Sequence, residues 1–182
     1  MRGEGPTDDS THVLVTGADA TAADAGVPPS SNVLGVTYET AAEAWLGEFQ
    51  TGPERAAVVS VGEHSRAAAA TTPDTGASAA TDIAAAAMGA VETVSEVEDV
   101  AGVGVLVNDY VSTWDGETTV YVDDFSVLLG ETSTETAFRF AHALTSCAAA
   151  NDAHVVAGLD TADQPAHVAA TFSELFDDVC EA

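Results

Sequence analysis

Lysine is absent from the sequence, and only four arginines oppose 30 aspartate and glutamate residues in 182, which gives a formal net charge of −26. Nucleic-acid backbones and anionic lipid surfaces are bound by clustered lysine and arginine side chains. The four arginines (Arg2, Arg55, Arg66 and Arg139) are scattered along the chain. The composition therefore argues against a nucleic-acid partner and against a membrane partner.

Long apolar runs are also missing. No stretch approaches the roughly 20 apolar residues that a membrane-spanning helix needs. The first ten residues, MRGEGPTDDS, lack the apolar segment of a secretory signal, so we expect a cytoplasmic protein. The two cysteines, Cys147 and Cys180, form no C-x-x-C motif, and we expect small buried side chains rather than a disulfide or a metal site.

Hydrophobic residues make up 46% of the chain, which is enough for a folded core despite the charge. The length predicts a single domain over residues 11–182, preceded by a flexible tail over residues 1–10. An acidic excess without lysine is typical of proteins from extreme halophiles, where molar salt screens the repulsion between carboxylates. Most of the 30 acidic side chains are therefore expected to solvate the surface.

Short β-branched runs alternate with segments of helical periodicity along the chain. The predicted strands cover residues 12–16, 32–38, 56–61, 91–94, 118–125, 154–158 and 178–181, the predicted helices cover 41–49, 99–114, 134–148 and 168–176, and a mobile surface loop is predicted over 63–80. This alternation predicts a three-layer α/β sandwich with a mainly parallel sheet. Ligands of such sheets bind beyond the carboxyl ends of the strands.

Three segments resemble the RecA/KaiC family of P-loop ATPases, and the similarity runs from about Thr11 to Glu181. VYVDDFSVLLG resembles the Walker B strand, TETAFRFAHALTSCAAANDAHVVAGLD the helix and strand that follow it, and NVLGVTYET the strand that ends at the catalytic glutamate. The chain looks most like a group of small haloarchaeal proteins with this fold. The resemblance implies that Asp123 holds Mg²⁺ through water, that Ser126 lies in the same turn, and that Glu39 matches the first residue of a glutamate pair.

The segment after the first strand departs from the Walker A motif, G-x-x-x-x-G-K-[ST], which binds phosphate through backbone N–H groups and a lysine. Only Gly17 is retained. Ala22 replaces the second glycine, Ala23 the lysine and Asp24 the serine or threonine. Carboxylates beside a triphosphate are repelled by several kcal/mol where water is partly excluded. We therefore predict no nucleotide cofactor bound in the manner of the family, and a vestigial site at Gly17, Glu39, Asp123 and Ser126.

The most favoured hypothesis is a non-catalytic, RecA/KaiC-like pseudo-ATPase that acts as a regulatory or protein-interaction module. The resemblance implies self-association or binding to an active homologue, and Phe138 and Arg139 are the predicted interface residues because they lie at the margin of their helix's apolar stripe. One alternative is a nucleotide-binding switch or ATPase that uses Asp123 and Glu39. A second alternative is a cation-binding module, with Asp123 and Asp124 as metal ligands and contributions from Asp19, Asp24 and Glu39.

Overall fold

The computed structural model describes residues 12–28, 30–62 and 89–182. In these ranges the chain forms a seven-stranded sheet in which every neighbouring pair of strands is parallel. The strands are β1 (His12–Gly17), β2 (Asn32–Thr37), β3 (Arg55–Val61), β4 (Ala90–Val94), β5 (Thr118–Val122), β6 (Ala153–Asp160) and β7 (Asp178–Glu181). The predicted parallel α/β sandwich is confirmed.

Helices cover both faces of the sheet. The described helices are the 3-10 helix η1 (Ala22–Ala25) and the α-helices α1 (Ala42–Glu48), α2 (Val100–Thr113), α3 (Phe125–Glu131), α4 (Thr134–Ala150) and α5 (Ala166–Ser173). Two apolar clusters fill the spaces between the layers. One packs η1 and α1 on the first face, and the larger one packs α2, α3, α4 and α5 on the second face.

The strand order is β4-β3-β2-β5-β6-β1-β7. From β1 through β2 to β3 the chain moves one way along the sheet and places η1 and α1 on the first face. From β4 through β5 and β6 to β7 it moves the other way and places α2 to α5 on the second face. A change of face on reversal of direction is what right-handed crossovers produce. The adjacent strands β2 and β5 therefore send the chain to opposite faces, which opens a crevice between their carboxyl ends.

The central strands are buried on both faces, which explains their continuous runs of small and β-branched residues. Gly35 in β2 is the one glycine in that strand, and a Cβ atom there would lie 2.6 Å from Cε2 of Trp45. The indole of Trp45 therefore packs directly onto the β2 backbone. An alanine at position 35 would displace the indole and with it the position of α1.

Two predicted boundaries were wrong. The strand expected over 118–125 ends at Val122, because Asp124 caps a further helix, α3, that was not predicted from the sequence. The last helix was expected over 168–176, but it spans Ala166–Ser173 and leaves Phe176 in the turn that follows. The loop predicted over 63–80 lies outside the described residues.

Both cysteines are free, and they are partly buried rather than fully buried as the sequence predicted. Burial raises the pKa of each thiol. Cys147 lies on α4 and Cys180 on the edge strand β7. No helix within the described part of the chain is long and apolar enough to span a membrane.

Candidate functional site

The candidate site lies at the carboxyl edge of the sheet, where the central strands β2, β5, β6 and β1 end side by side. The polar residues singled out from the sequence follow these strands. Residues 38–40 follow β2, Asp123 and Asp124 follow β5, and Gly17 ends β1. The fold therefore brings Asp123 and the turn at Glu39 together across the crevice between β5 and β2.

Asp123 is buried, and its carboxylate accepts four backbone hydrogen bonds. Oδ1 accepts the N–H groups of Tyr38 and Asp124, both at 2.8 Å. Oδ2 accepts the N–H groups of Glu39 at 3.0 Å and Thr40 at 2.9 Å. Three consecutive N–H groups after β2 thus form a concave anion-binding turn of the kind called a nest, and Asp123 fills it with its own carboxylate.

This geometry gives Asp123 a structural role. An ionised carboxylate has about four lone-pair sites, and the four N–H groups engage all of them. The side chain therefore ties the end of β5 to the turn after β2. The metal or nucleotide role of Asp123 stays a prediction.

Asp124 and Ser126 also have structural partners. Asp124 is the N-cap of α3, and its Oδ1 accepts the N–H of Ser126 at 2.7 Å and the N–H of Asp160 at 3.2 Å. The hydroxyl of Ser126 donates to Oδ2 of Asp124. N-cap bonds of this type stabilise a helix by about 1 kcal/mol. The pair predicted to help bind metal or nucleotide therefore starts a helix and joins it to β6.

The loop after β1 stands where a phosphate-binding loop would lie. Its Asp24 carboxylate accepts the N–H of Thr21 at 2.9 Å and the hydroxyl of Thr21 at 3.0 Å. The N–H of Asp24 donates to the carbonyl of Thr21, and the N–H of Ala22 donates to the carbonyl of Asp123. These N–H groups, which would have to point at a phosphate, are engaged within the chain. The pattern Thr21-x-x-Asp24 matches the sequence signature of a capping box and is a local signal for this turn.

Gly158 in β6 allows this loop to lie close to the sheet. A Cβ atom there would meet the backbone of Ala20, Thr21 and Asp123, and backbone atoms cannot move aside as a flexible side chain can. Gly17 lies farther from Asp123, because β6 separates β1 from β5. The predicted vestigial set is therefore divided: Glu39, Asp123 and Ser126 follow β2 and β5, and Gly17 pairs with Asp160 of β6.

The oxygen-rich cation site proposed as an alternative does not form in the described ranges. Within them, no group of three or more His, Cys, Asp or Glu side chains has the arrangement to hold a metal ion. The carboxylates of Asp24 and Asp123 are bound to different backbone turns. The side chain of Glu39 is exposed at the edge of the sheet.

Two tyrosines near the crevice are held in the neutral form. Burial, with a smaller effect from the charge of Asp123, raises the pKa of Tyr38 above its usual value. Burial raises the pKa of Tyr121 to about 12, and its hydroxyl donates to the carbonyl of Val27 at 3.5 Å. Neither group titrates near neutral pH, so neither is suited to act as a general base.

The predicted interface residues lie on α4. Phe138 is half-buried and its ring lies edge-on to Phe172 of α5, with 6.1 Å between the ring centroids. Phe138 therefore lies at the margin of the core, where its ring packs against Phe172, and its role as an interface residue stays a prediction. Arg139 is largely exposed, pairs with Glu135 at 2.6 Å, and lines a groove of about 620 Å³ between α2 and α4.

The sequence matches the model of a family of unknown function, DUF7504, over residues 10–182. The chain belongs to this family, and the match covers the whole of the stretch predicted to be one domain, residues 11–182. No curated protein matches the sequence.

Proposed function

We propose that this member of the family is a non-catalytic, RecA/KaiC-like pseudo-ATPase that works as a regulatory or protein-interaction module in the cytoplasm of a halophilic archaeon. One observation carries the proposal. The anion-binding turn after β2 is filled by the chain's own carboxylate, Asp123, and in the loop after β1 the Asp24 carboxylate is bonded to the N–H and hydroxyl of Thr21. The salt habitat is supported by the formal net charge of −26.

The closed turns argue against the nucleotide-switch alternative. A triphosphate would have to break the bonds of the Asp123 carboxylate to the nest, and it would then face that carboxylate and Asp24 without a lysine between them. Hydrogen bonds to a charged group contribute about 1.5–3 kcal/mol each, so this rearrangement is costly. An ATPase that uses Asp123 and Glu39 would need to release the Asp123 carboxylate from its hydrogen bonds. It would also need a positive charge in place of the missing lysine.

We expect Mg-ATP to bind no more tightly than about 1 mM, which corresponds to about −4 kcal/mol, and we expect no hydrolysis above background. The measurement is isothermal titration calorimetry in molar KCl, with phosphate release followed in parallel. Asp123→Asn and Asp163→Asn form a matched pair, since each removes one charge and Asp163 is exposed in a surface turn. Micromolar affinity that is lost in Asp123→Asn but kept in Asp163→Asn would establish the nucleotide-switch alternative instead.

The groove between α2 and α4 supports an interaction role. It is lined mainly by small and apolar residues, among them Ala101, Gly104 and Phe140, and Val105 on α2 is 61% exposed. An apolar surface within a highly charged exterior is a common feature of protein interfaces. Arg139 at the same groove is one of the few cationic side chains of the chain.

We expect the protein to self-associate in molar KCl and Val105→Asp to abolish that association with the melting temperature nearly unchanged, since Val105 is mostly exposed. Light scattering gives the molar mass of each variant. Ala170→Asp on α5 is the matched control, because it adds the same charge at an exposed site that does not line the groove. A monomeric wild type, or equal association of the two variants, would contradict a homotypic interface at this groove.

A further inference from the structure

A second cavity, of about 260 Å³, lies at the carboxyl edge beside the crevice between β2 and β5. It is bounded by the loop that contains η1, by Thr40 and Asp123 at the ends of β2 and β5, and by one side of α1. Cavities that hold drug-sized ligands have about 300–1,000 Å³, so this one suits a smaller molecule. Its place in the fold, where neighbouring strands send the chain to opposite faces, is where open α/β sheets bind ligands.

Three aromatic rings line this cavity: Trp45, Phe49 and Tyr121. Their ring centroids lie 4.6 Å apart for Trp45 and Phe49, 5.6 Å for Phe49 and Tyr121, and 6.3 Å for Trp45 and Tyr121. Trp45 is fixed against the β2 backbone by the absence of a side chain at Gly35. The cluster is therefore a preorganised wall, and aromatic rings attract cations through their quadrupole.

The charges around the cavity are negative. Asp123 and Glu48 line it, and none of its lining residues is basic. Of the arginines within the described ranges, Arg55 begins β3 at the opposite edge of the sheet, and Arg139 lies on the other face on α4. The cavity is thus suited to a cation and unsuited to an anion.

The hydrogen-bonding capacity of the cavity selects among cations. An inorganic cation needs several oxygen ligands, and a primary ammonium or a guanidinium carries three to five N–H donors that need acceptors when buried. Two carboxylates line this cavity: the buried one, Asp123, is engaged by four backbone N–H groups, and the other, Glu48, is exposed to water. A quaternary ammonium group has no N–H donor and is held by ring faces and a nearby negative charge alone.

We propose that this cavity, which we call the aromatic cavity, binds a small ligand with a quaternary ammonium group. Choline and tetramethylammonium are the probes, and 3,3-dimethylbutan-1-ol is the uncharged control with the shape of choline. In titration calorimetry in molar KCl, we expect saturable binding of choline and tetramethylammonium. We expect the uncharged alcohol to bind at least tenfold more weakly.

Matched variants test the location of the site. Phe49→Leu is expected to weaken choline binding about five- to tenfold, whereas Phe138→Leu, which removes a comparably half-buried ring on the other face of the sheet, leaves it unchanged. Glu48→Gln weakens it about two- to threefold, and Glu43→Gln, an exposed charge on the same helix that does not line the cavity, has no effect. Because Glu48 is exposed, its variant keeps the fold even if Phe49→Leu does not.

The proposal is overturned if choline and the uncharged alcohol bind equally, if neither quaternary ammonium probe binds saturably, or if each variant behaves like its control. These outcomes differ from those that test the proposed function. A protein that binds neither choline nor Mg-ATP contradicts only the aromatic-cavity proposal, and one that binds both contradicts only the pseudo-ATPase.

Discussion

Asp123→Ala is expected to lower the free energy of unfolding by about 3–5 kcal/mol, which for a chain of this size corresponds to a drop in melting temperature of about 6–20 °C. The substitution leaves the N–H groups of Tyr38, Glu39 and Thr40 without their acceptor and releases the end of β5 from the turn after β2. Each buried donor left unpaired costs about 1–3 kcal/mol. Thermal and urea unfolding in molar KCl measure the effect.

Two further variants serve as controls for this measurement. Asp123→Asn keeps one oxygen acceptor and should lose less stability than Asp123→Ala. Asp163→Ala removes a charge of the same sign from an exposed turn and should change stability by less than about 0.5 kcal/mol. A carboxylate whose only role is to bind a metal or a nucleotide would give a different result, because its removal from the ligand-free protein does not destabilise the fold. An Asp123→Ala variant as stable as the wild type would therefore refute the structural role.

The second large effect concerns salt. We expect cooperative unfolding at a high temperature in molar KCl and a loosened or unfolded chain in dilute buffer, a difference of several kcal/mol. Four basic residues cannot neutralise 30 acidic ones, and the screening length falls from about 30 Å at 0.01 M salt to about 3 Å at 1 M. Circular dichroism against KCl concentration measures the transition.

A control separates screening from the general effect of an excluded solute. Sucrose stabilises compact states without screening charge, so it should restore the fold in dilute buffer much less than KCl does at the same osmolality. A melting temperature that stays constant between dilute and molar salt would remove the argument for a salt-adapted protein.

The secondary structure was largely accessible from the sequence because its signals are local. Short β-branched runs placed β1, β2 and β3, and period-3.6 patterns placed the helices α1, α2 and α4, all within one or two residues. The missed helix α3 also had a local signal, since Asp124 is a capping residue followed by Phe125 and Leu128 at helical spacing. The start of this helix was predicted to be the end of a strand, because the strand β5 (Thr118–Val122) ends just before it.

The candidate site was accessible only in part. The sequence placed Asp123 and Glu39 after strands, and a parallel sheet brings strand ends to one edge, so their proximity could be expected. The groups that each carboxylate binds could not be predicted from the sequence. Three of the four N–H groups bonded to Asp123 belong to residues 83 to 85 positions earlier in the chain, and no local pattern records such a pairing.

The aromatic cavity was hidden for the same reason. Trp45 and Phe49 were visible at helical spacing, but Tyr121 reaches them from β5 and Gly35 supports them from β2. The sequence by itself determined the alternation of strands and helices, the charge, and the lack of a lysine that could bind phosphate, because composition and periodicity are properties of the chain. Only the tertiary structure decided the strand order, the closure of the anion-binding turn after β2 by Asp123 and the position of the cavity, because each depends on contacts between distant segments.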